Sequence, residues 1–121
     1  MKKDLVIAMT GIRGRLGRAL ARRLRAEGHT VLSVPRHYGL LPGSDVLIHL
    51  GPGARRLAAR LPEAVTLPAK VLTTASGVKG ARELGIHVTP LRLEDLPAED
   101  AVDLILWAVH HLETRLELET A

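Results

Sequence analysis

The sequence contains no cysteine and no phenylalanine, and it has a single tryptophan and a single tyrosine. The absence of cysteine excludes disulfides, thiolate metal sites and a cysteine nucleophile, and it fits a reducing compartment. Because single-stranded nucleic acid is bound by stacking its bases on several aromatic side chains, a stacking platform is not expected. No run approaches the roughly 18 apolar residues of a membrane span, so we predict a cytoplasmic protein without a membrane segment.

The composition is typical of one globular domain. The 121 residues are 46% hydrophobic and 25% charged, which predicts a single folded domain over residues 1–121. The formal net charge is +4 and the pI is about 10.1. Because most of the basic residues are arginines, which pair well with phosphates, the composition favours anionic ligands.

Apolar runs alternate with amphipathic segments along the chain. Residues 5–9 form a continuous apolar run, typical of a central parallel strand. Residues 16–27 repeat Leu16, Leu20 and Leu24 on one face and arginines on another, which predicts a helix. Strands that alternate with helices pair in parallel through right-handed crossovers. We predict further strands at 29–34, 45–50, 70–74 and 86–91, short helices at 54–61 and 78–84, and a long last helix at 97–118.

Three glycines mark the connection between the first strand and the first helix. Gly11 permits a tight turn, Gly14 lets the backbone approach a pyrophosphate, and Gly17 lets helix and strand pack closely. Exposed amides at the start of the helix then bind the anion, assisted by the helix dipole. We therefore predict a dinucleotide site, with a purely structural turn as the alternative. Its residues are Gly11, Ile12, Arg13, Gly14, Arg15 and Leu16.

Four segments together carry a family resemblance. Thr10 to Gly17 form a T-G-x-x-G-x-x-G pattern, and residues 45–51, 71–80 and 88–92 are similar to the segments D-v-v-i-H-l-A, v-y-v-S-S-a-x-v-Y-G and v-t-i-l-R-p. In this order they resemble the extended short-chain dehydrogenase/reductases, which include nucleotide-sugar epimerases. The resemblance implies an NAD(P)-binding, Rossmann-like domain. It extends the predicted cofactor site to Leu50, Gly51, Gly53 and Thr74.

The chain is shorter than the family pattern at two places. Between Pro35 and Asp45 there is room for a loop only, so the family's second crossover helix and the strand after it are missing. Between Gly80 and Ile86 there is no room for the helix that carries the family's Y-x-x-x-K pair. We therefore predict a reduced three-layer, Rossmann-like α/β fold. Its five parallel strands take the order 2-1-3-4-5, with helices on both faces of the sheet.

The residues of family catalysis are not found at their places. Tyr38 is followed four residues later by Pro42, so it belongs to no tyrosine–lysine pair. Ala75 stands at the position of the catalytic serine, and Lys79 replaces the tyrosine of the Y-G step. Acid–base work needs a titratable group within hydrogen-bond reach of the reacting atom. We therefore predict no catalytic residues and a cofactor-binding or sensing module. The alternative is a small NADP-dependent reductase or epimerase-like enzyme completed by a partner chain.

The choice of cofactor depends on the residues after the second strand. An NAD-preferring fold places an acidic residue there for the ribose hydroxyls, whereas this chain has Arg36 and His37. A cation suits the additional phosphate of NADP, so NADP is preferred to NAD. An exposed loop arginine is the alternative interpretation of Arg36.

Neither the histidines nor the basic helix changes this prediction. The six histidines lack ligand spacing, since His110 and His111 diverge on a helix and others lie in separate strands, so no metal site is predicted. The first helix could track phosphates, but no helix-turn-helix or aromatic readout accompanies it, and a solvated amphipathic helix has the same pattern. Nucleic-acid binding therefore stays a second, less favoured alternative. The arginines concerned are Arg13, Arg15, Arg18, Arg22, Arg23 and Arg25.

The last helix carries two apolar stripes. A helix lying on a sheet needs only one. The second stripe predicts a homodimer through Leu104 and Trp107, with burial in the chain's own core as the alternative. The first stripe comprises Ala101, Ile105, Ala108 and Leu112, and the second contains Leu104, Trp107 and Leu118.

Overall fold

The computed structural model describes residues 4–34, 43–50, 68–74 and 85–120, with side chains up to residue 111. Within these ranges every predicted strand and both predicted long helices are present, with ends within two residues of the prediction. The short helices predicted at 54–61 and 78–84 lie outside the described residues. The elements are β1 Val6–Thr10, α1 Arg15–Ala26, β2 Thr30–Ser33, β3 Val46–His49, β4 Lys70–Thr73, β5 His87–Pro90 and α2 Ala98–Thr120.

The five strands form one sheet in the order β2-β1-β3-β4-β5, and each neighbouring pair is parallel. This confirms the predicted Rossmann-like strand order. β1 lies between β2 and β3, so Ile7 is paired with Val31 on one side and with Val46 on the other. A strand in this position is covered on both faces, which explains the continuous apolar run in its sequence.

Both faces of the sheet are buried. Ile7 and Met9 belong to a core cluster with residues of α1 and α2, so the two helices lie on the same face. Successive residues of a strand point to opposite faces, and the opposite face is formed by Ala8, Leu47 and Val71, exposed by 2% or less. The sheet is therefore an interior layer, with both described helices on one of its faces.

The helix α2 buries a wider stripe than predicted. Ala101, Ile105 and Ala108 are buried as expected, and Val102, Leu106 and Val109 are buried beside them. Leu104 is 36% exposed and Trp107 is 59% exposed, so these two members of the second stripe are not part of the chain's own core. The Trp107 ring instead stacks on His111, with ring centroids 4.4 Å apart. Neither described helix is long and apolar enough to cross a membrane.

Candidate phosphate site at the glycine turn

Gly11 is required by the geometry of the turn after β1. Its φ is +71°, and a Cβ at this position would lie 2.7 Å from the carbonyl oxygen of Leu50. A residue with a side chain would therefore meet both backbone strain and a collision with fixed backbone. Gly11 thus allows the turn to pass close to the end of β3.

Gly17 is required by the packing of α1 against the same turn. A Cβ here would lie 2.1 Å from the carbonyl oxygen of Gly11 and 2.8 Å from the Cα of Ile12. Both atoms belong to the backbone, which cannot move aside as a flexible side chain can. Gly17 therefore fixes the first turn of α1 directly against the loop, as the sequence predicted.

Gly14 has no comparable steric requirement within the protein. It is the N-cap residue of α1, with φ −71° and ψ 166°, which any amino acid can adopt. Its N–H donates to the carbonyl oxygen of Gly11 at 3.1 Å, and a Cβ would meet only that oxygen, at an ordinary 3.5 Å. The glycine therefore leaves open the space that a side chain would fill.

The start of α1 leaves its first amides without a side-chain acceptor. The first N–H groups of a helix have no intrahelical partner. Gly14 has no side chain to cap them, and the first turn contains no acidic residue. Arg13 and Arg15 are exposed on either side of Gly14. Uncapped amides, the positive end of the helix dipole and two cations are each features that favour an anion at this point.

A hydrogen-bonded pair beneath the turn ties β1 to β3. The hydroxyl of Thr10 accepts the N–H of Leu50 at 3.0 Å and lies 2.8 Å from Nδ1 of His49. Thr10 is 4% exposed and His49 is fully buried. This pair sets the position of Leu50, whose carbonyl oxygen meets Gly11. His49 is thus a buried, hydrogen-bonded histidine at the end of β3.

The described part of the predicted cofactor site lies together at the carboxyl ends of the strands. The turn from Gly11 to Leu16 follows β1, Leu50 follows β3, and Thr74 follows β4, where its N–H donates to the carbonyl oxygen of His49 at 3.1 Å. Ile12 and Leu16 pack against the core with half-buried side chains, so they offer a ligand their backbone only. Other predicted or weighed residues lie outside the described ranges, namely Arg36, His37, Tyr38, Gly51, Gly53, Ala75 and Lys79.

A second polar cluster, at the other end of α1, was not found from the sequence. Nε2 of His110 lies 2.9 Å from Oε2 of Glu27, and one ring nitrogen of His29 lies within 4.8 Å of both ligand atoms. Nδ1 of His29 accepts the N–H of Leu5 at 3.0 Å, which keeps the ring proton on Nε2. A metal at Nε2 would need that proton removed. The cluster is therefore a hydrogen-bonded connection between α1 and α2 rather than a prepared set of metal ligands.

No protein-family model matches the chain, and no curated protein matches it. Among solved structures, the chain is similar to a nucleoside-diphosphate sugar epimerase from Corynebacterium glutamicum, with 24% sequence identity and a TM-score of 0.46. The match covers 59% of this chain and 22% of the epimerase, so the chain spans about a fifth of that protein's length. The described fold is a Rossmann-like parallel α/β sheet, and the candidate site lies at its glycine turn.

Proposed function

We propose that this protein binds the pyrophosphate of a nicotinamide dinucleotide at the glycine turn. The observation that carries the proposal is the open space beside Gly14. This residue lies at the uncapped start of α1, and the space is where its side chain would be. Close contacts within the chain require glycine at positions 11 and 17, whereas no contact requires glycine at position 14. A phosphate occupying that space would accept hydrogen bonds from the amides of the first turn.

The strand order supports the same location. In an open parallel sheet, ligands bind outside the carboxyl ends of the strands, where the strand order reverses. With the order β2-β1-β3, this reversal lies between β1 and β3. Thr10, Gly11 and Leu50 meet at that point. The dinucleotide would therefore lie across the ends of β1 and β3, beside the exposed Arg13 and Arg15.

The proposed role is that of a cofactor-binding or sensing module. The sequence offers no tyrosine–lysine pair, since Tyr38 is the single tyrosine. An NADP-dependent reductase or epimerase-like enzyme completed by a partner chain is the competing role. Oxidation of NADPH by the purified protein alone, with aldehyde or ketone substrates, would favour the enzyme over the module.

NADP is the preferred cofactor because Arg36 follows β2, the neighbour of β1. If Arg36 contacts the 2′-phosphate, Arg36→Asp exchanges a charge-assisted hydrogen bond for repulsion. The affinity for NADPH should then fall far more than the affinity for NADH. Equal losses of affinity for both cofactors would indicate that Arg36 is an exposed loop residue that does not contact the 2′-phosphate.

The binding test is a titration with NADPH, NADH and FAD, read as a thermal shift. A ligand that binds only the folded state at 100 times its Kd adds about 2.7 kcal/mol to the free energy of unfolding. We expect the largest rise in Tm with NADPH. Unchanged melting with all three dinucleotides, with the protein shown to be folded by circular dichroism, would contradict the proposal.

We further propose that two copies associate through the outer face of α2. Trp107 and Leu104 are exposed on the side of α2 away from the core. Burying a fully exposed large apolar side chain contributes on the order of 1.5–3 kcal/mol, and a symmetric interface counts it twice. Leu104 is 36% exposed and Trp107 is 59% exposed, so each can contribute only that fraction. Sedimentation should therefore find a dimer that Trp107→Glu converts to a folded monomer. A monomeric wild-type protein at the same concentration would contradict this proposal.

A further inference from the structure

One side of α1 carries a row of arginines. Arg15, Arg18, Arg22 and Arg25, here called the outer arginine row, are all exposed. With 3.6 residues in each helical turn, they fall within an arc of about 80° and extend over about 15 Å of the helix axis. The row therefore presents four cations along one straight, solvent-facing surface.

The charges of this row are not compensated within the described chain. Arg15, Arg18 and Arg22 have no ion-pair partner among the described residues, and Arg25 has a single long hydrogen bond, 3.4 Å, to the carbonyl oxygen of Val31. Arg23, on another side of α1, lies 3.7 Å from the carboxylate of Asp103 in α2. The helix thus directs one arginine to an acidic partner and leaves the row facing solvent.

The carboxylate nearest to the row in sequence is also engaged elsewhere. Glu27, at the end of α1, lies 2.9 Å from His110 of α2. Within the described ranges, the carboxylates paired at α1 therefore lie on the side facing α2, and the opposite side carries positive charge. An uncompensated row of this kind attracts an extended anion.

We propose that the outer arginine row binds the phosphate backbone of a nucleic-acid duplex without reading its sequence. A duplex carries one negative charge for about every 1.7 Å of its axis, so a 15 Å row faces several phosphates. The net charge of +4 favours the same encounter. Arginine also hydrogen-bonds phosphate oxygens with two parallel donors, which suits backbone contacts.

A duplex fits this surface better than a single strand or a membrane. Single strands are held by stacking their bases on aromatic side chains, and Trp107 lies on α2, stacked on His111. An amphipathic helix on a membrane inserts apolar side chains, but the leucines of α1 pack inward, since Leu20 and Leu24 are fully buried. The row therefore offers charge without a stacking or inserting group.

The test measures binding of a fluorescent 20-base-pair DNA duplex by anisotropy between 25 and 200 mM salt. With four contacts, the plot of log K against log salt should have a slope of about −3.6. Arg22→Ala combined with Arg25→Ala should change this slope to about −1.8, because each lost contact removes about 0.9. These two residues are the farthest of the row from the glycine turn, so the thermal shift with NADPH should stay unchanged.

Arg23→Ala is the control for the single variants Arg22→Ala and Arg25→Ala, since each removes one positive charge from the same helix, and Arg23 lies on the side paired with Asp103. It should leave the slope near the wild-type value. No binding of the duplex at 25 mM salt would overturn the proposal. So would a change of slope in Arg23→Ala equal to that in Arg22→Ala or in Arg25→Ala, which is expected to be about 0.9 for each, or tighter binding to single strands or phosphatidylserine vesicles than to the duplex.

Discussion

The two ends of α1 differ in how their backbone groups are satisfied. At the C-terminal end, the N–H groups of Glu27, Gly28 and His29 donate to carbonyl oxygens of the last turn at 3.0–3.2 Å. Gly28 adopts φ +94°, which allows the chain to turn back toward β2. Basic side chains in the last turn also match the negative end of the helix dipole. This end is closed by the protein itself.

The N-terminal end of α1 has none of these stabilising features. No side chain caps it, no acidic residue lies in its first turn, and its first residue is Arg15, whose charge opposes the positive end of the dipole. A helix optimised for stability would have serine, threonine, aspartate or asparagine at Gly14. Local rules that fail at one point of an otherwise consistent fold commonly mark a functional site. Under the proposed function, the phosphates of the dinucleotide would complete this end.

Gly17→Ala should have the largest effect on the N-terminal end. The new Cβ would lie 2.1 Å from the carbonyl oxygen of Gly11, so the turn or the helix must move. We expect a loss on the order of 3 kcal/mol in the free energy of unfolding, measured by urea denaturation. Gly14→Ala is the matched control, because its Cβ enters open space. A change of less than about 1 kcal/mol in Gly17→Ala would contradict the described packing.

Gly14→Val should separate binding from stability at the same end. Its Cβ has room and its φ is allowed, so we expect a folded protein that loses about 1 kcal/mol or less. The branched side chain would occupy the place of the phosphate. Loss of two charge-assisted hydrogen bonds, at about 1.5–3 kcal/mol each, weakens NADPH by on the order of a hundredfold or more. If Gly14→Val bound NADPH with wild-type affinity in calorimetric titration, the proposed phosphate site would be contradicted.

Gly28→Ala should destabilise the C-terminal end of α1 without affecting ligand binding at its N-terminal end. A side chain at φ +94° costs about 1–2 kcal/mol. The Cβ would also lie 3.0 Å from a carboxylate oxygen of Asp4, which is a side-chain atom and can shift. Thermal denaturation should record the lost stability, and NADPH affinity should equal that of the wild type. A parallel loss of affinity would show that the two ends are coupled.

The sequence predicts the glycine turn and the strands from local patterns, whereas the strand order follows from the family resemblance. Apolar runs define the strands, and the spacing of Gly11, Gly14 and Gly17 between a strand and a helix fixes the turn. The two-stripe pattern of α2 likewise predicted that Trp107 faces away from the sheet, and its 59% exposure agrees. The turn and the apolar stripe each depend on residues within about ten positions of one another, whereas the strand order depends on segments spread over residues 10–92.

The contacts that the sequence did not reveal join residues far apart in the chain. Thr10 and His49 are 39 residues apart, and Glu27 and His110 are 83 apart. The six arginines of residues 13–25 also look alike in the sequence. The structure separates Arg23, paired with Asp103, from the outer row. One sequence without covarying positions carries no signal for such pairs, because any of several acidic residues could face the helix.

Gly14→Ser should have the smallest effect, with opposite signs in the free and the bound protein. A serine hydroxyl at the N-cap accepts an amide hydrogen bond from the first turn of the helix, which stabilises the free protein by a few tenths of a kcal/mol relative to glycine. The same hydroxyl would compete with the phosphate for that amide, so NADPH affinity should fall severalfold. Scanning calorimetry with and without NADPH would show a higher Tm for the free variant and a smaller rise on binding. Gly14→Ala adds the Cβ without the hydroxyl, so it separates the effect of helix capping from the effect of side-chain size. If serine raised the Tm and left the affinity unchanged, the amides at the start of α1 would not be the phosphate ligands.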